Sequence, residues 1–285
     1  MENLPSTGQL SVVILTFNEE INLPLCLDSL AGLHADVFVV DSGSTDATLE
    51  ILKARGLSAS SHPFDNYAAQ RNWAIDNLPI ETEWSLHLDA DERLTPALVA
   101  EINRVLPGVP RAINGFRLRK RTFFLGRWIR HGGHYPAYHL RLFRTSKGRC
   151  EDRLYDQHFM VPGTIETLRN DYIDVVASDL TTWTIRHVKW ARFEAEEQGR
   201  QDDSGRVKAR AFGNPIERKR WLRDSLYGKT PLFVRPFAYW IYRYFLRLGF
   251  LDGREGLIFH FLQGCWFRFL IDCYRYEKTN HAPKV

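Results

Sequence analysis

Three acidic clusters stand where the chain leaves apolar runs. Asp89-Ala-Asp91 follows Trp84-Ser-Leu-His-Leu88, Asp41 follows Val37-Phe-Val-Val40, and Asn18-Glu19-Glu20 follows Leu10 to Phe17. Two carboxylates one residue apart after an extended segment can share a divalent cation and a diphosphate, because a hard ion takes oxygen ligands and keeps positions open for phosphate. Taken alone, the Asp-x-Asp spacing suits equally a solvated turn or a cap for the next helix. Asp41 and Glu19 shift that balance. Each ends a neighbouring apolar run, so several carboxylates can face one crevice.

The elements that would position them are legible from their period. Residues 10–17 and 37–40 are continuous apolar, β-branched runs, the pattern of strands buried on both faces, and Trp84 to Leu88 reads as a further strand. Between them, Asn18-Glu19-Glu20 opens a helix with Ile21, Leu25 and Leu30 at helical spacing. Asp46 caps a helix carrying Leu49 and Leu52, and another helix covers Asn66 to Asn77. Thr95-Pro96 starts a helix through Leu106, with threonine as cap and proline in the first turn. Strands alternating with helices predict a parallel, doubly wound α/β sheet with ligands at the carboxyl ends of its strands.

From Gly115 the pattern changes to shorter strands, Gly115 to Lys120, His139 to Phe143 and Gln157 to Val161, interrupted by the long loop Phe124-Leu-Gly-Arg-Trp-Ile-Arg-His-Gly-Gly-His134. Its arginines and glycine-opened backbone suit closure over a diphosphate and exclusion of water; a surface hairpin is the alternative. His131 and His134, with glycines between them, make a poor metal pair. Asp179 caps a helix to about Gln198, and Gly199 to Gly213 reads as a flexible linker.

Two aromatic-rich helices follow, about 231–248 and 257–277. On the first, Arg235, Tyr239, Arg243 and Arg247 recur every fourth residue as a polar stripe. On the second, His260, Gly264, Arg268, Asp272 and Arg275 gather similarly. Arginines interrupt both, so neither is an apolar span. They fit helices lying on an anionic membrane surface, arginines on phosphates and aromatics dipping inward, or a helical pair packed on a partner.

Bulk properties agree with a folded protein. Of the 285 residues, 44% are hydrophobic and 25% charged, which excludes a disordered chain. The net charge of +4 is unevenly spread: residues 207–285 carry 15 Lys/Arg against 6 Asp/Glu, and residues 1–206 carry 23 against 28. Cys26, Cys150, Cys265 and Cys273 have no C-x-x-C spacing, so reduced thiols are expected rather than zinc or disulfides. The first apolar run is too short for a signal peptide or a membrane helix, and no export is implied.

The string Ser-Val-Val-Ile-Leu-Thr-Phe-Asn-Glu-Glu, then Val-Val-Asp-Ser-Gly-Ser-Thr-Asp, Gln70-Arg-Asn-Trp-Ala and Leu-His-Leu-Asp-Ala-Asp-Glu-Arg resembles the family 2 inverting glycosyltransferases of the GT-A fold. Phe-Leu-Gly-Arg-Trp-Ile-Arg-His-Gly-Gly, Arg141-Leu-Phe-Arg144 and Gly249-Phe-Leu-Asp-Gly-Arg-Glu-Gly256 resemble the bacterial subgroup that extends lipopolysaccharide cores and lipid-linked exopolysaccharide repeats.

The resemblance implies a GT-A catalytic domain over 1–198, with a nucleotide-sugar half to about 110 and an acceptor half from about 111. A linker with a short helix (199–230) and membrane-associating helices (231–285) follow. It implies that Thr16, Asn18 and Glu19 line base and ribose, that Asp41 reads a uracil, and that Arg71 lies near base and diphosphate. Asp89 and Asp91 handle ribose and a Mg2+ or Mn2+ ion, Asp91 as the more direct ligand, and Arg127, Arg130 and His131 serve the diphosphate. Glu151-Asp152 falls where the family places its base, which makes Asp152 the first candidate and Asp156 the second. Relatives often carry His-Glu where this chain has Asp156-Gln157. The implied activity is inverting transfer from a nucleoside diphosphate sugar, UDP-linked, to an undecaprenyl-diphosphate glycan or lipopolysaccharide core, at the cytoplasmic face of the inner membrane and without nucleic acid.

Two other readings compete. A sugar-nucleotide nucleotidyltransferase would carry a Gly-rich, basic signature after the first strand, where Thr-Phe-Asn-Glu stands instead. A nucleic-acid or lipid binder would use the basic end, but its charge is dispersed through apolar helices.

Overall fold

A computed structural model describes residues 9–176, 179–198 and 206–280. The chain divides into two compact units. One comprises residues up to 121 with 137–151 and 157–175; the other comprises 122–136, 152–156 and the chain from 176 onward.

The first unit is built on β1 (Leu10–Thr16), β2 (Asp36–Asp41), β3 (Ala59–Ser61) and β4 (Trp84–Asp89), which lie in the order β3-β2-β1-β4 with parallel pairing. All seven residues of β1 are buried, as the β-branched run predicts for a strand covered on both faces. Val12 and Ile14 pack with Leu23 and Cys26 of α1 (Leu23–Asp28), Leu52 of α2 (Thr48–Ala54) and Leu98 and Ile102 of α4 (Pro96–Val105). Val13 and Leu15 pack on the other side with Ala74 of α3 (Tyr67–Asn77) and Leu78. Each such side chain contributes roughly 1.5–3 kcal/mol by leaving water.

The expected parallel sheet is only this half. Beyond β4 it continues with β8 (Ala137–Arg144), β6 (Ile113–Phe124), β11 (Thr164–Val176) and β5 (Glu92–Leu94); β8 is antiparallel to β4 and to β6, and β5 is antiparallel to β11. β9 (Arg149–Cys150) and β10 (Phe159–Met160) form a separate two-stranded ribbon.

Some local expectations shift. Asn18 to Glu20 precede a short turn rather than opening the helix, α1 begins only at Leu23, and Ile21 and Leu25 are exposed while Leu23 and Cys26 are buried. Asp46 accepts the Thr48 N–H from two positions on, at 3.0 Å, and so caps α2 from outside its first residue. Asn66, Thr95 and Asp179 are N-caps, each accepting a backbone N–H from three residues on.

In the second unit, Phe124 and Ile129 pack on Trp183 of α5 (Leu180–Glu197) and Phe259 of α8 (Gly253–Phe261), and Ala191 and Ala195 pack on Phe267 and Ile271 of α9 (Phe267–Asn280). The loop after β6 is a tight hairpin, Phe124 pairing with Arg127 of β7 (Arg127–Trp128) around Leu125 and Gly126, both at positive φ. Part of the expected linker, 199–205, lies outside the described residues; within the rest, α6 (Pro215–Ser225) carries a capping box from Asn214 and Glu217. The helix expected over 231–248 is α7 (Arg235–Ile241) extended by a π-type turn, and the chain reverses at Leu248, φ +59°.

Most of the polar stripe of these last helices is packed inward, which corrects the expectation of lipid phosphates on Arg235 and Arg243; Arg247 stays exposed. Arg235 is 2% exposed and paired with Asp272, Arg243 is 6% exposed, and His260 and Asp272 are fully covered. Sequence period fixes which residues share a face; the side that turns outward depends on the neighbouring helix.

Candidate active site

Parallel pairing brings the strand ends into one row. Thr16 is opposite Asp41 on β2, and Leu15 is opposite Asp89 on β4. Because strands leave β1 in both directions, this edge is a topological switch point, where α/β sheets place ligands.

Thr16 is buried and its hydroxyl has no hydrogen-bond partner, so an acceptor or donor supplied by a ligand would satisfy it. Asn18 adopts φ +54° and ties the β1 end to the β2 end, its Oδ1 accepting the Thr45 N–H at 2.8 Å and its own N–H donating to Ser44 Oγ at 2.9 Å. The Glu19 N–H donates to Thr48 Oγ1 at 2.8 Å, and its carboxylate accepts from Asn22 Nδ2 at 2.7 Å. Asp41 is buried with Oδ2 accepting the Gly43 and Ser44 N–H groups at 2.8 and 2.9 Å, while the Ser44 hydroxyl bonds Oδ1. Its carboxylate thus shapes the turn after β2.

Asp89 and Asp91 are close in sequence and opposite in electrostatics. Asp89 receives Arg71 Nη2 at 2.9 Å and Arg141 Nη2 at 3.0 Å. Burial alone would push its carboxyl up, but the two guanidiniums outweigh that and hold it well below the usual carboxylate range. Glu92 binds the same Arg141 Nη2 at 2.5 Å and accepts the Asp89 N–H at 3.0 Å. Here burial wins: assisted by Asp89 and Asp174 and opposed by Arg141, it pushes Glu92 up to about 7. Nearby, Asp174 pairs with Lys120 at 2.6 Å.

Asp91 has no such counterion. Its carboxylate makes no hydrogen bond or ion pair among the described residues; burial first, then Asp174, Asp89, Glu92 and Glu19, raise its carboxyl well above the usual value. A carboxylate surrounded by like charge is where a cation gains most. No group of three or more His, Cys, Asp or Glu side chains converges on a metal position among the described residues. A cation at Asp91 would therefore need further oxygen ligands from water or a bound ligand, as an octahedral Mg2+ site commonly does.

The floor beneath is His87, two residues before Asp89. It is stacked on Phe143 with centroids 5.0 Å apart, and burial with the adjacent Arg71 and Arg141 lowers its imidazole to about 3, keeping it neutral. Arg141, Glu92, Lys120 and Asp174 were not among the residues expected to serve the site. The available signal was a charge inside an apolar strand: Arg141 lies within His-Leu-Arg-Leu-Phe and Asp174 within Tyr-Ile-Asp-Val-Val, and such a group must find a partner.

The other expected site residues belong to the second unit. Asp152 is exposed, and Arg149 and Arg153, which could have neutralised it, pair instead with Asp76 (2.6 Å) and Glu194 (3.2 Å). Asp156 adopts φ +55°, and its carbonyl accepts Arg220 Nη2 at 3.4 Å. Glu151, in the first unit, is fully buried and accepts the His158 N–H at 2.8 Å. His131 is held by Asp252, whose carboxylate accepts its N–H at 2.9 Å and meets Nδ1 at 2.6 Å. Arg127 reaches the Leu251 carbonyl at 3.4 Å, and Arg130 lies over the Trp128 ring.

Residues 11–176 match the family described as Glycosyl transferase family 2. Among curated relatives, the chain is 32% identical over 147 residues to the lipopolysaccharide core biosynthesis glycosyltransferase LpsC of Rhizobium meliloti, covering 50% of this chain and 53% of that one. It is 33% identical over 97 residues to an uncharacterized glycosyltransferase of Rickettsia typhi, covering 34% and 32%. The chain thus spans about half or less of the length of these relatives. Among solved structures, S. aureus TarS 1–349 in complex with UDP aligns with 97% of this chain and 93% of its own at 16% identity and a TM-score of 0.45. Glucosyl-3-phosphoglycerate synthase from Mycobacterium tuberculosis, in complex with Mn2+, UDP-glucose and phosphoglyceric acid, aligns with 42% and 45% at 22% identity and a TM-score of 0.33.

Proposed function

The chain belongs to glycosyl transferase family 2, and from that premise we propose that it moves a sugar, with inversion, from a UDP-linked nucleoside diphosphate donor to a lipid-linked glycan. Support comes chiefly from the contrast between Asp89, neutralised by two arginines, and Asp91, half-buried among carboxylates with no cation of its own. In this reading, the crevice of Thr16, Asn18, Glu19 and Asp41 receives the nucleoside, and Arg71 with Arg141 fixes Asp89 against the ribose. Asp91, with Asp89 near it, holds Mg2+ or Mn2+. When bound, that ion neutralises charge on the departing diphosphate.

Inversion needs a carboxylate to take the acceptor hydroxyl proton while that oxygen attacks the anomeric carbon from the face opposite the diphosphate. Asp152, exposed and without an ion-pair partner among the described residues, is the proposed base, with Asp156 second. Arg127, Arg130 and His131 stay candidates for a phosphate partner.

No described helix is long and apolar enough to cross a membrane. The proposed setting is peripheral attachment through 231–285 at the cytoplasmic face of the inner membrane, where an undecaprenyl-diphosphate glycan or lipopolysaccharide core would be the acceptor. A thermal-shift screen of nucleotide sugars with and without Mn2+, on wild type and Asp91→Ala, tests the core of this reading. A UDP-sugar should raise the melting temperature only when Mn2+ and Asp91 are both present. An equal rise without either removes the metal role.

A further inference from the structure

The helices after residue 206 bury charge and expose hydrocarbon. Inside, Arg235 pairs with Asp272, and the Arg268 guanidinium lies 4.3 Å from the Tyr239 ring centroid and 5.1 Å from that of Tyr227. Outside, Phe237, Ile241, Phe245 and Phe261 are each about half exposed. Seventeen of the twenty-six large apolar side chains exposed among the described residues fall between Phe212 and Tyr276, a concentration that scattered surface hydrophobics do not explain. A helix packed for water shows the reverse polarity.

The charge that does reach the surface identifies the occupant. Among residues 206–280, eight exposed Lys/Arg stand against two exposed Asp/Glu, complementary to an anionic layer rather than to a second copy of the same basic face.

Within this surface, two glycine-bearing segments clasp each other. The Gly132 N–H donates to the Arg247 carbonyl at 2.9 Å, Arg243 Nε donates to the Gly132 carbonyl at 2.8 Å, and His131 is anchored on Asp252. A Cβ on Gly132 would lie 2.2 Å from His260 Cε1, so the approach requires glycine. The clasp presents Arg127 beside Gly253 and Arg247 beside Gly133, with Arg254 next along the chain. All three are exposed, and none has a carboxylate partner among the described residues. On the same stretch Leu246, Leu248, Phe250 and Leu251 are 44–72% exposed.

Unpaired guanidiniums interleaved with bare hydrocarbon match a phosphate attached to a hydrocarbon chain. We infer that residues 127–133 and 246–254 form a binding site for a phosphate-bearing lipid: Arg127, Arg247 and Arg254 hold the phosphate, while Leu246, Phe250 and Leu251 enter the acyl layer. This deepens the peripheral attachment through 231–285 proposed above, on which it rests, and its occupant is an anionic phospholipid of the membrane surface.

Flotation of the full chain with vesicles tests it, using phosphatidylcholine alone and phosphatidylcholine containing phosphatidic acid. Wild type floats with the phosphatidic acid vesicles. The variant Arg127→Gln/Arg247→Gln/Arg254→Gln binds about a hundredfold more weakly, each arginine near a headgroup contributing about fivefold. Lys208→Gln/Arg210→Gln, exposed cations elsewhere in the unit, binds as wild type. Leu246→Gln/Leu251→Gln keeps the arginines and loses flotation, and thermal melts matched to wild type show that each variant folds. Undiminished flotation of the triple arginine variant overturns the site. Release by inorganic phosphate beyond that by chloride at equal ionic strength makes it a free-anion site and overturns the lipid. Failure to float together with dimer formation in sedimentation assigns the apolar face to a second copy, and also overturns it.

Discussion

Replacing Arg141 by Met removes a guanidinium that Asp89 and Glu92 share. The Arg141 and Glu92 side chains are 6% and 3% exposed, so the loss leaves a buried carboxylate uncompensated, a change that costs about 3–5 kcal/mol. In a domain of this size that corresponds to a fall in melting temperature of about 6–20 °C. The pH dependence carries a sign that a mere packing defect would not. Glu92 is raised from 4.5 to about 7, so between those values the native state holds a proton that the unfolded state has released. Stability is full below pH 4.5 and is lost as pH rises through 7, by about 3 kcal/mol for this group. Without Arg141 the carboxyl rises further, and the loss extends to higher pH. Urea unfolding monitored from pH 4.5 to 8.5 measures this. Arg141→Met/Glu92→Gln, which discards the orphaned charge, should recover most of the stability and flatten the profile. A single Arg141→Met variant melting within about 2 °C of wild type at pH 8 would refute the shared-cation account.

Asp91→Asn removes a charge whose strongest electrostatic neighbours are carboxylates, so it should keep or raise stability by about 0.5–2 kcal/mol while lowering Mn2+-supported sugar transfer at least about a hundredfold; parallel melting and turnover assays separate the two effects. Asp152→Asn should cut kcat by about 10²–10⁴ with Asp156→Asn within about tenfold of wild type, and steady-state kinetics showing the reverse order would move the base to Asp156. Gly132→Ala forces a methyl group against His260 at φ +64° and should cost about 1–3 kcal/mol in urea titrations; wild-type stability would mean that the clasp is loose.

The row of strand ends used by the proposed donor site was legible because it obeys local rules. Short continuous apolar, β-branched runs read as buried strands, and the residues that end them lie at the carboxyl edge, so Thr16, Asp41 and Asp89 were expected near one crevice, and the parallel pairing sets them in one row. The features that escaped are non-local. Thr164 to Val176, with Glu166, Arg169, Asn170 and Asp171 among its apolar residues, has no clean two-residue alternation, so the strand that brings Asp174 to Asp91 gave no periodic signal. Arg141 was visible as part of a motif, but its role exists only once β8 lies beside β4. The resemblance implies a base contact for Asp41, and the structure adds a role no periodicity signals: its carboxylate accepts the Gly43 and Ser44 N–H groups of the turn it closes. At the C-terminal end, spacing by four identified the stripe, but Arg235 and Arg243 turn inward and only Arg247 outward, since an amphipathic pattern does not say which side meets water.

The interleaving of the two units has an engineering consequence. Residues 122–136 and 152–156 are contributed by stretches of chain whose flanks belong to the first unit, so the second is not a detachable tail. Truncation after residue 176 would strip Phe124 and Ile129 of the Trp183 and Phe259 side chains that cover them. A chimera meant to borrow this unit from a relative must graft three separate segments together, and a single-crossover fusion would join mismatched halves.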